Sequence, residues 1–447
     1  MRRQTRFVGL LGFIVLTAAA CDWTMVGFGP GRTGFSGSEK TITPSNVGSL
    51  VEQWTATAGN QVSGPVVGDG RVFVTTQADR TGVPAALMAF DAAGSGCPGS
   101  QPRICPAAWR KTFPTPANAL NPMNIASPVF AAGKVWSGGA SLHALISVED
   151  FGSGNWNYHV GGAFEPATGA TAPGPVVATE AAPAAVVDGI AYGYYSYATF
   201  CICDRPATQS HTSLIGTRLD GTGSVFGLPL FSQGASAPTL AGGRVYLMSG
   251  NALDVWDAGS PPDCTITQIS ARCFPLWSGQ LAGEAGWDDM PAVANGLVYV
   301  PELSGDVEVF QAAGCGAKTC TPSWTADAGS AHVVPVAVTD AALFVSSDDG
   351  HLYAFKANGC GAATCSPVWS ASLPSGAHVP SVAGSVVFVG ANDGTLAAFN
   401  AAGCGKTTCN PLWSTNVGAT IRNAPVISAG RVFVTDDAGA IHAFGLA

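Results

Sequence analysis

Toward its C-terminus the chain writes one passage three times. GCGAKTCTPSW begins at Gly314, GCGAATCSPVW at Gly359 and GCGKTTCNPLW at Gly403. Ahead of each stands a short β-rich run with a Pro signal before it. The signals continue upstream, with Pro at 65, 128, 183, 238, 291, 335, 380 and 425. The last three steps are 44, 45 and 45 residues. A unit of this length that holds several strands cannot bury both its faces alone. It must stack on copies of itself, and a period near 45 points to a propeller.

One unit parses as four strands. Pro335 opens the first, where a missing N–H is harmless. Ala342–Ser346 is the second, and Asp348-Asp349-Gly350 turns the chain because Gly and Asp tolerate positive φ. Leu352–Phe355 is the third, and Pro367–Ser370 carries the fourth with Trp369. Trp324 and Trp413 occupy matching places, and each Trp is expected against the next blade. Asp349, Asp393 and Asp436 read as turn residues, like Asp348 and Asp437. The eighth unit stops at Ala447 after its third strand, while Trp54 precedes the first Pro signal with no blade of its own. Trp54 therefore completes blade eight. The expectation is all-β: a single eight-bladed propeller of four-stranded antiparallel blades over residues 50–447, closed by an N-terminal strand, and a monomer.

The first residues carry other information. MRRQTR is basic, Phe7–Ala20 is apolar, and Ala18-Ala19-Ala20 precede Cys21. This predicts a signal peptide over residues 1–20. The small residues before Cys21 resemble the lipobox of bacterial lipoproteins, in which the Cys becomes the lipidated first residue. Residues 21–49 are then a lipidated lead-in, and the protein is exported and membrane-anchored, outside the cytoplasm at the cell envelope. The net charge of −9 without a further basic run excludes nucleic acid as a partner.

Of 13 cysteines, Cys21 is set apart and twelve remain. They fall into neighbours: Cys97/Cys105, Cys201/Cys203, Cys264/Cys273, Cys315/Cys320, Cys360/Cys365 and Cys404/Cys409. In an oxidising compartment these read as local disulfides, each closing an outer hairpin between the third and fourth strands. Zinc would need four ligands at one point, and each pair offers two. Cys201 and Cys203, one residue apart, read either as another staple or as a reducible bridge.

DGHLYAF, NDGTLAAF and AGAIHAF, with a Trp strand following, resemble the repeats of pyrroloquinoline-quinone (PQQ) type propellers. Asp22-Trp23, FGPGRTGFS and Ile42–Thr55 are similar to the lead-in of quinoprotein dehydrogenases. The Gly-Cys-Gly insertions depart from that pattern. The resemblance implies the propeller fold and two kinds of protein: PQQ-dependent alcohol or polymer dehydrogenases, which use PQQ with Ca²⁺, and non-enzymatic lipoprotein propellers that bind envelope proteins. There is no adjacent Cys-Cys, no haem motif and no dehydrogenase-length insertion. The expected function is a binding scaffold without cofactor. The alternatives are a quinoprotein dehydrogenase or a sugar- or polymer-binding module, with Tyr192, Tyr194, Tyr195 and Tyr197 as a platform. Just ahead of the Pro signals lie Glu180, Asp288, Asp289, His332, His378, Arg422 and Asn423, at equivalent offsets in different blades. Propeller geometry would gather them at the channel mouth as a site for a small polar ligand or cation.

Overall fold

The computed structural model describes residues 22–115, 124–142, 157–175, 184–200, 208–231, 236–260, 262–266, 271–284, 290–329 and 331–447. Eight β-sheets follow one another as eight blades. Blade 5 shows the plan: Ala292–Ala294, Leu297–Pro301, Asp306–Gln311 and Trp324–Asp327, paired antiparallel in that order. Blade 1 starts at Val66, blade 2 at Asn124, blade 3 at Ala185, blade 4 at Thr239, blade 6 at Ala337, blade 7 at Ser381 and blade 8 at Val426. Strands such as Leu343–Val345 and Val386–Val389 are buried residue after residue, without alternation. Each blade is covered on both faces by its neighbours, so both sides of the strand must be apolar.

The ring closes as expected. Leu50–Thr57 pairs antiparallel with Ala440–Leu446 and completes blade 8. Trp54 is wholly buried, 6.0 Å from the Phe433 ring. A polar clasp crosses the same seam: the His442 ring nitrogens meet Glu52 Oε1 at 2.6 Å and Asp436 Oδ2 at 3.1 Å.

Five cysteine pairs are bridged: Cys97–Cys105, Cys264–Cys273, Cys315–Cys320, Cys360–Cys365 and Cys404–Cys409. Cys21, Cys201 and Cys203 lie outside the described residues. The picture of a staple within one blade is too narrow. Four of the five bridged loops also reach back to the preceding blade, while the Cys264–Cys273 loop forms a two-stranded hairpin of its own. Thr319–Cys320 of blade 5 pairs parallel with the outer strand of blade 4, and Thr364–Cys365 of blade 6 with that of blade 5. Arg103–Ile104 of blade 1 does the same to blade 8, and Cys409 N–H donates to Ser370 C=O of blade 6. An outer edge strand otherwise exposes unpaired N–H and C=O groups. The glycine ahead of the first cysteine lies against the preceding blade's Trp: a Cβ on Gly359 would sit 3.1 Å from the Trp324 ring, and one on Gly403 2.7 Å from Trp369.

The lead-in follows a path that the sequence does not disclose. At the end of the axis where strands 1 and 2 of each blade turn, it visits every inner strand. Val67 N–H of blade 1 donates to Trp23 C=O, and Phe130 N–H of blade 2 to Thr24 C=O. Leu240 of blade 4, Val293 of blade 5, Val338 of blade 6 and Val382 of blade 7 donate to Pro30, Gly31, Thr33 and Gly34. Gly430 N–H of blade 8 donates to Glu39 Oε2 at 2.9 Å. Blade 3 is reached by a side chain, since Arg32 Nη2 donates to Ala184 C=O at 3.0 Å. The same guanidinium holds Val26 C=O at 2.6 Å and Pro238 C=O at 3.4 Å. Burial lowers the Arg32 pKa to about 10, which leaves it charged at neutral pH. Gly34 sits at φ +58° with Ala337 Cβ 3.1 Å from where its own Cβ would be. That spacing accounts for the GPGRTG composition.

Two outcomes follow. Arg32→Met strands three buried carbonyls and is expected to cost about 3 kcal/mol or more, read as a fall in Tm; Arg32→Lys recovers part of it, because one ammonium cannot reproduce the fork. Burial alone would depress the His442 pKa, but the Glu52 and Asp436 hydrogen bonds and charges outweigh it and raise it above 6.5. The clasp's stability is then full below that value and lost as pH rises through the raised one. His442→Gln should therefore lower Tm most in mildly acidic buffer, with the difference narrowing on alkaline titration.

Candidate functional site

Antiparallel order places the strand 4-to-1 connections and the strand 2–3 turns on the face opposite the lead-in. The described mouth residues sit there, each against a turn of its own blade. His332 Nδ1 lies 3.5 Å from Asp348 Oδ2. His378 Nε2 lies 2.8 Å from Asn392 Oδ1. Arg422 Nε donates to Asp437 Oδ2 at 2.7 Å, with both side chains substantially exposed. Asn423 is turned inward, donating to Val62 C=O and Thr435 Oγ1 across the seam between blades 8 and 1. Glu180, Asp288 and Asp289 lie outside the described residues. The structure thus repeats one motif in three successive blades: a basic or imidazole residue, then an acid or amide on the turn 14 residues later in blade 7 and 15 in blade 8. That spacing is the signal by which Asp348, Asn392 and Asp437 could have been found. Asp393 and Asp436 do act as turn residues, accepting from Thr395 and Ala440 N–H.

Two adjoining open depressions of about 520 and 540 Å³ lie beside this motif, where blades 8, 1 and 2 meet. They share Gln61, Gln77 and Asp437; Arg80 and Asp79 line one, Arg422 and Asn423 the other. The Gln77 amide is held on the Ile125 backbone, at 2.8 Å and 2.7 Å. Gln61, Arg80 and the Arg422–Asp437 pair are the groups that present polar chemistry to solvent. Their mixture of amide, cation and acid suits a polar surface or chain. The platform tyrosines do not join them: Tyr192 and Tyr194 are buried, with hydroxyls donating to Ala258 and Ser236 C=O, and burial raises both pKa values. The side chains of Tyr195 and Tyr197 lie outside the described residues.

A Ca²⁺ ion beside PQQ would need six or more oxygen ligands around an open position. Among the described residues no three His, Cys, Asp or Glu side chains converge as metal ligands. The described mouth residues include imidazoles and a guanidinium, each already facing a partner. These described residues alone assemble no cation cage.

A carboxyl pair stands at the strand 2–3 turn of blade 5, against the connection from blade 4. Glu302 is wholly buried and Glu308 is 5% exposed. Glu302 Oε1 and Glu308 Oε2 have no hydrogen-bond partner. Burial, then the neighbouring Glu302 charge, push Glu308 up to about 7. A raised carboxyl gives its stability below the ordinary 4.5 and loses it as pH climbs through the raised value. Glu308→Gln should therefore raise Tm at about pH 8.5 and change it little at about pH 4.

The family described as outer membrane protein assembly factor BamB matches residues 267–403 and 360–446. No curated protein matches the sequence. Among solved structures, BamB from Moraxella catarrhalis is 14% identical with a TM-score of 0.50, covering 89% of this chain and 97% of that one. The quinohemoprotein alcohol dehydrogenase of Pseudomonas putida HK5 is 12% identical with a TM-score of 0.60, covering 95% and 80%. That of Comamonas testosteroni is 13% identical at 0.56, covering 96% and 82%. At such identity these likenesses establish the fold and leave activity open. With its eight blades, its repeat grammar and the matched C-terminal units, the chain is similar to the PQQ-like repeat β-propellers, and the family match spans residues 267–446.

Proposed function

We propose that this chain is an exported, lipid-anchored propeller that works as a non-catalytic binding scaffold at the cell envelope. Its binding face is the one that carries Arg422 and Asp437. The observation that carries the reading is the state of the mouth. His332, His378 and Arg422 each face an acid or amide of their own blade, so the face offers paired, solvated polar groups rather than a poised acid, base or metal cage. Such a surface suits a polypeptide partner, whose backbone and side chains both donate and accept. The five bridges fit an oxidising, extracytoplasmic compartment. The matched family is described as an assembly factor, and the proposal carries that class of role to this chain.

Two measurements test it. Purified protein equilibrated with PQQ and Ca²⁺ should leave gel filtration without quinone absorbance and should not reduce dye with primary alcohols. Retained quinone together with alcohol-dependent turnover overturns the scaffold reading in favour of a quinoprotein dehydrogenase. In the second, envelope proteins captured by the wild type should be lost on Arg422→Glu and recovered in part by Arg422→Glu combined with Asp437→Arg. Capture indifferent to both changes removes this face from the proposal.

A further inference from the structure

The blade topology leaves the two faces chemically unequal. Strand 1–2 turns and strand 3–4 loops share one face; strand 2–3 turns and the mouth share the other. Eight large apolar side chains are substantially exposed among the described residues. Five of them stand at the strand 3–4 end, Val51, Phe274, Leu276, Val368 and Leu412, while Ile104 lies on the outer perimeter beside Thr55 of blade 8. Ile104 is 70% exposed and Val368 52%. Leu276, Val368 and Leu412 each immediately precede the Trp that begins the outer strand of blades 4, 6 and 7, so they recur by construction around the rim. Val83 and Leu303 alone lie on strand 2–3 turns.

The described chain also begins on this apolar-rimmed face. Trp23 is 1% exposed, and its carbonyl is held by blade 1. Asp22 accepts the Asp69 backbone N–H at the strand 1–2 turn of that blade. Cys21 is the next residue. No spacer separates it from a residue fixed on the propeller.

We propose that the face bearing the strand 1–2 turns and cysteine loops rests on the lipid bilayer, with Val51, Phe274, Leu276, Val368 and Leu412 in the headgroup region. The inference rests on the lipid-anchor reading above. Asp69, Asp188 and Asp340 share this face with Lys318 and Lys406 of the cysteine loops, so charges of both signs are mixed there and the attraction to the membrane rests on the apolar side chains. Scattered exposed apolar side chains are ordinary on a soluble surface. A rim of them around the point where the chain leaves for its anchor gains burial from the interface that the anchor already provides. The mouth with Arg422 and Asp437 then points away from the bilayer, open to a partner.

The test uses the full chain, expressed with its leader and reconstituted in phosphatidylethanolamine–phosphatidylglycerol vesicles. Val368→Cys, Leu412→Cys and, as the opposite-face control, Val83→Cys are each labelled with an environment-sensitive fluorophore, and the unsubstituted protein sets the background. All three positions are exposed, so labelling leaves the core alone. Doxyl-labelled lipid should quench most of the emission at 368 and 412 and leave 83 unchanged. Quenching at 83, or at none of the three while the protein floats with the vesicles, overturns the orientation and leaves the anchor standing. Protein that does not float with the vesicles refutes the anchor, and the orientation falls with it.

Discussion

Every inner strand of a propeller ends its sheet at the axis, with a row of N–H groups that no further strand can pair. Leaving such groups buried and unmet costs about 1–3 kcal/mol each. In this chain one extended segment, Trp23 to Glu39, accepts such N–H groups from blades 1, 2 and 4 to 8 and holds a carbonyl of blade 3 instead. Its carbonyls serve blades 1, 2 and 4 to 7, the Glu39 carboxylate serves blade 8, and the Arg32 guanidinium serves blade 3 from the donor side. The segment also fixes where the chain departs from the body, and the asymmetry of the two faces follows from that.

The outer perimeter solves the matching problem differently. On blades 8, 4, 5 and 6 the edge strand is covered by the cysteine loop of the next blade, locked by its bridge and seated over the neighbour's Trp. A short closed loop is worth about 2–3 kcal/mol by the chain-entropy estimate. Part of that stabilisation here acts between blades, because the second cysteine sits on the strand that does the covering. Between axis and rim the packing is continuous. The inter-blade clusters mix residues of adjacent sheets, as Trp324 and Tyr299 of blade 5 do with Val345 and Phe355 of blade 6.

Much of this was legible in the sequence because the information there is periodic. The Pro signals, the Trp positions and the unpaired Trp54 were enough for eight blades and their closure, and adjacency alone paired the ten cysteines of the five bridges. What escaped was aperiodic. The GPGRTG stretch occurs once, and its contacts are to backbone groups hundreds of residues away in sequence, as with Gly34 C=O and Val382 N–H. Composition carries no trace of such partners. The Glu302–Glu308 pair was missed because two acids six residues apart look like surface residues until both are buried. At the mouth, equal offsets marked His332, His378 and Arg422. Their turn partners Asp348 and Asp437 were read as turn formers only, since one side chain can shape a turn and face a cation at once.

The rim and the axis differ in what they can count. A repeat carries in its own 45 or so residues a Trp to be covered and a loop to cover the previous one. Duplicating or deleting one such repeat among blades 5 to 7 would leave the outer edges there capped, so that stretch of the perimeter is indifferent to the number of blades. The axial segment is not. It holds one station for each blade in fixed order, and a ring of seven would leave a buried carbonyl or charge without its partner. In this chain the perimeter permits growth by recombination, and a single thread of 17 residues holds the tally at eight.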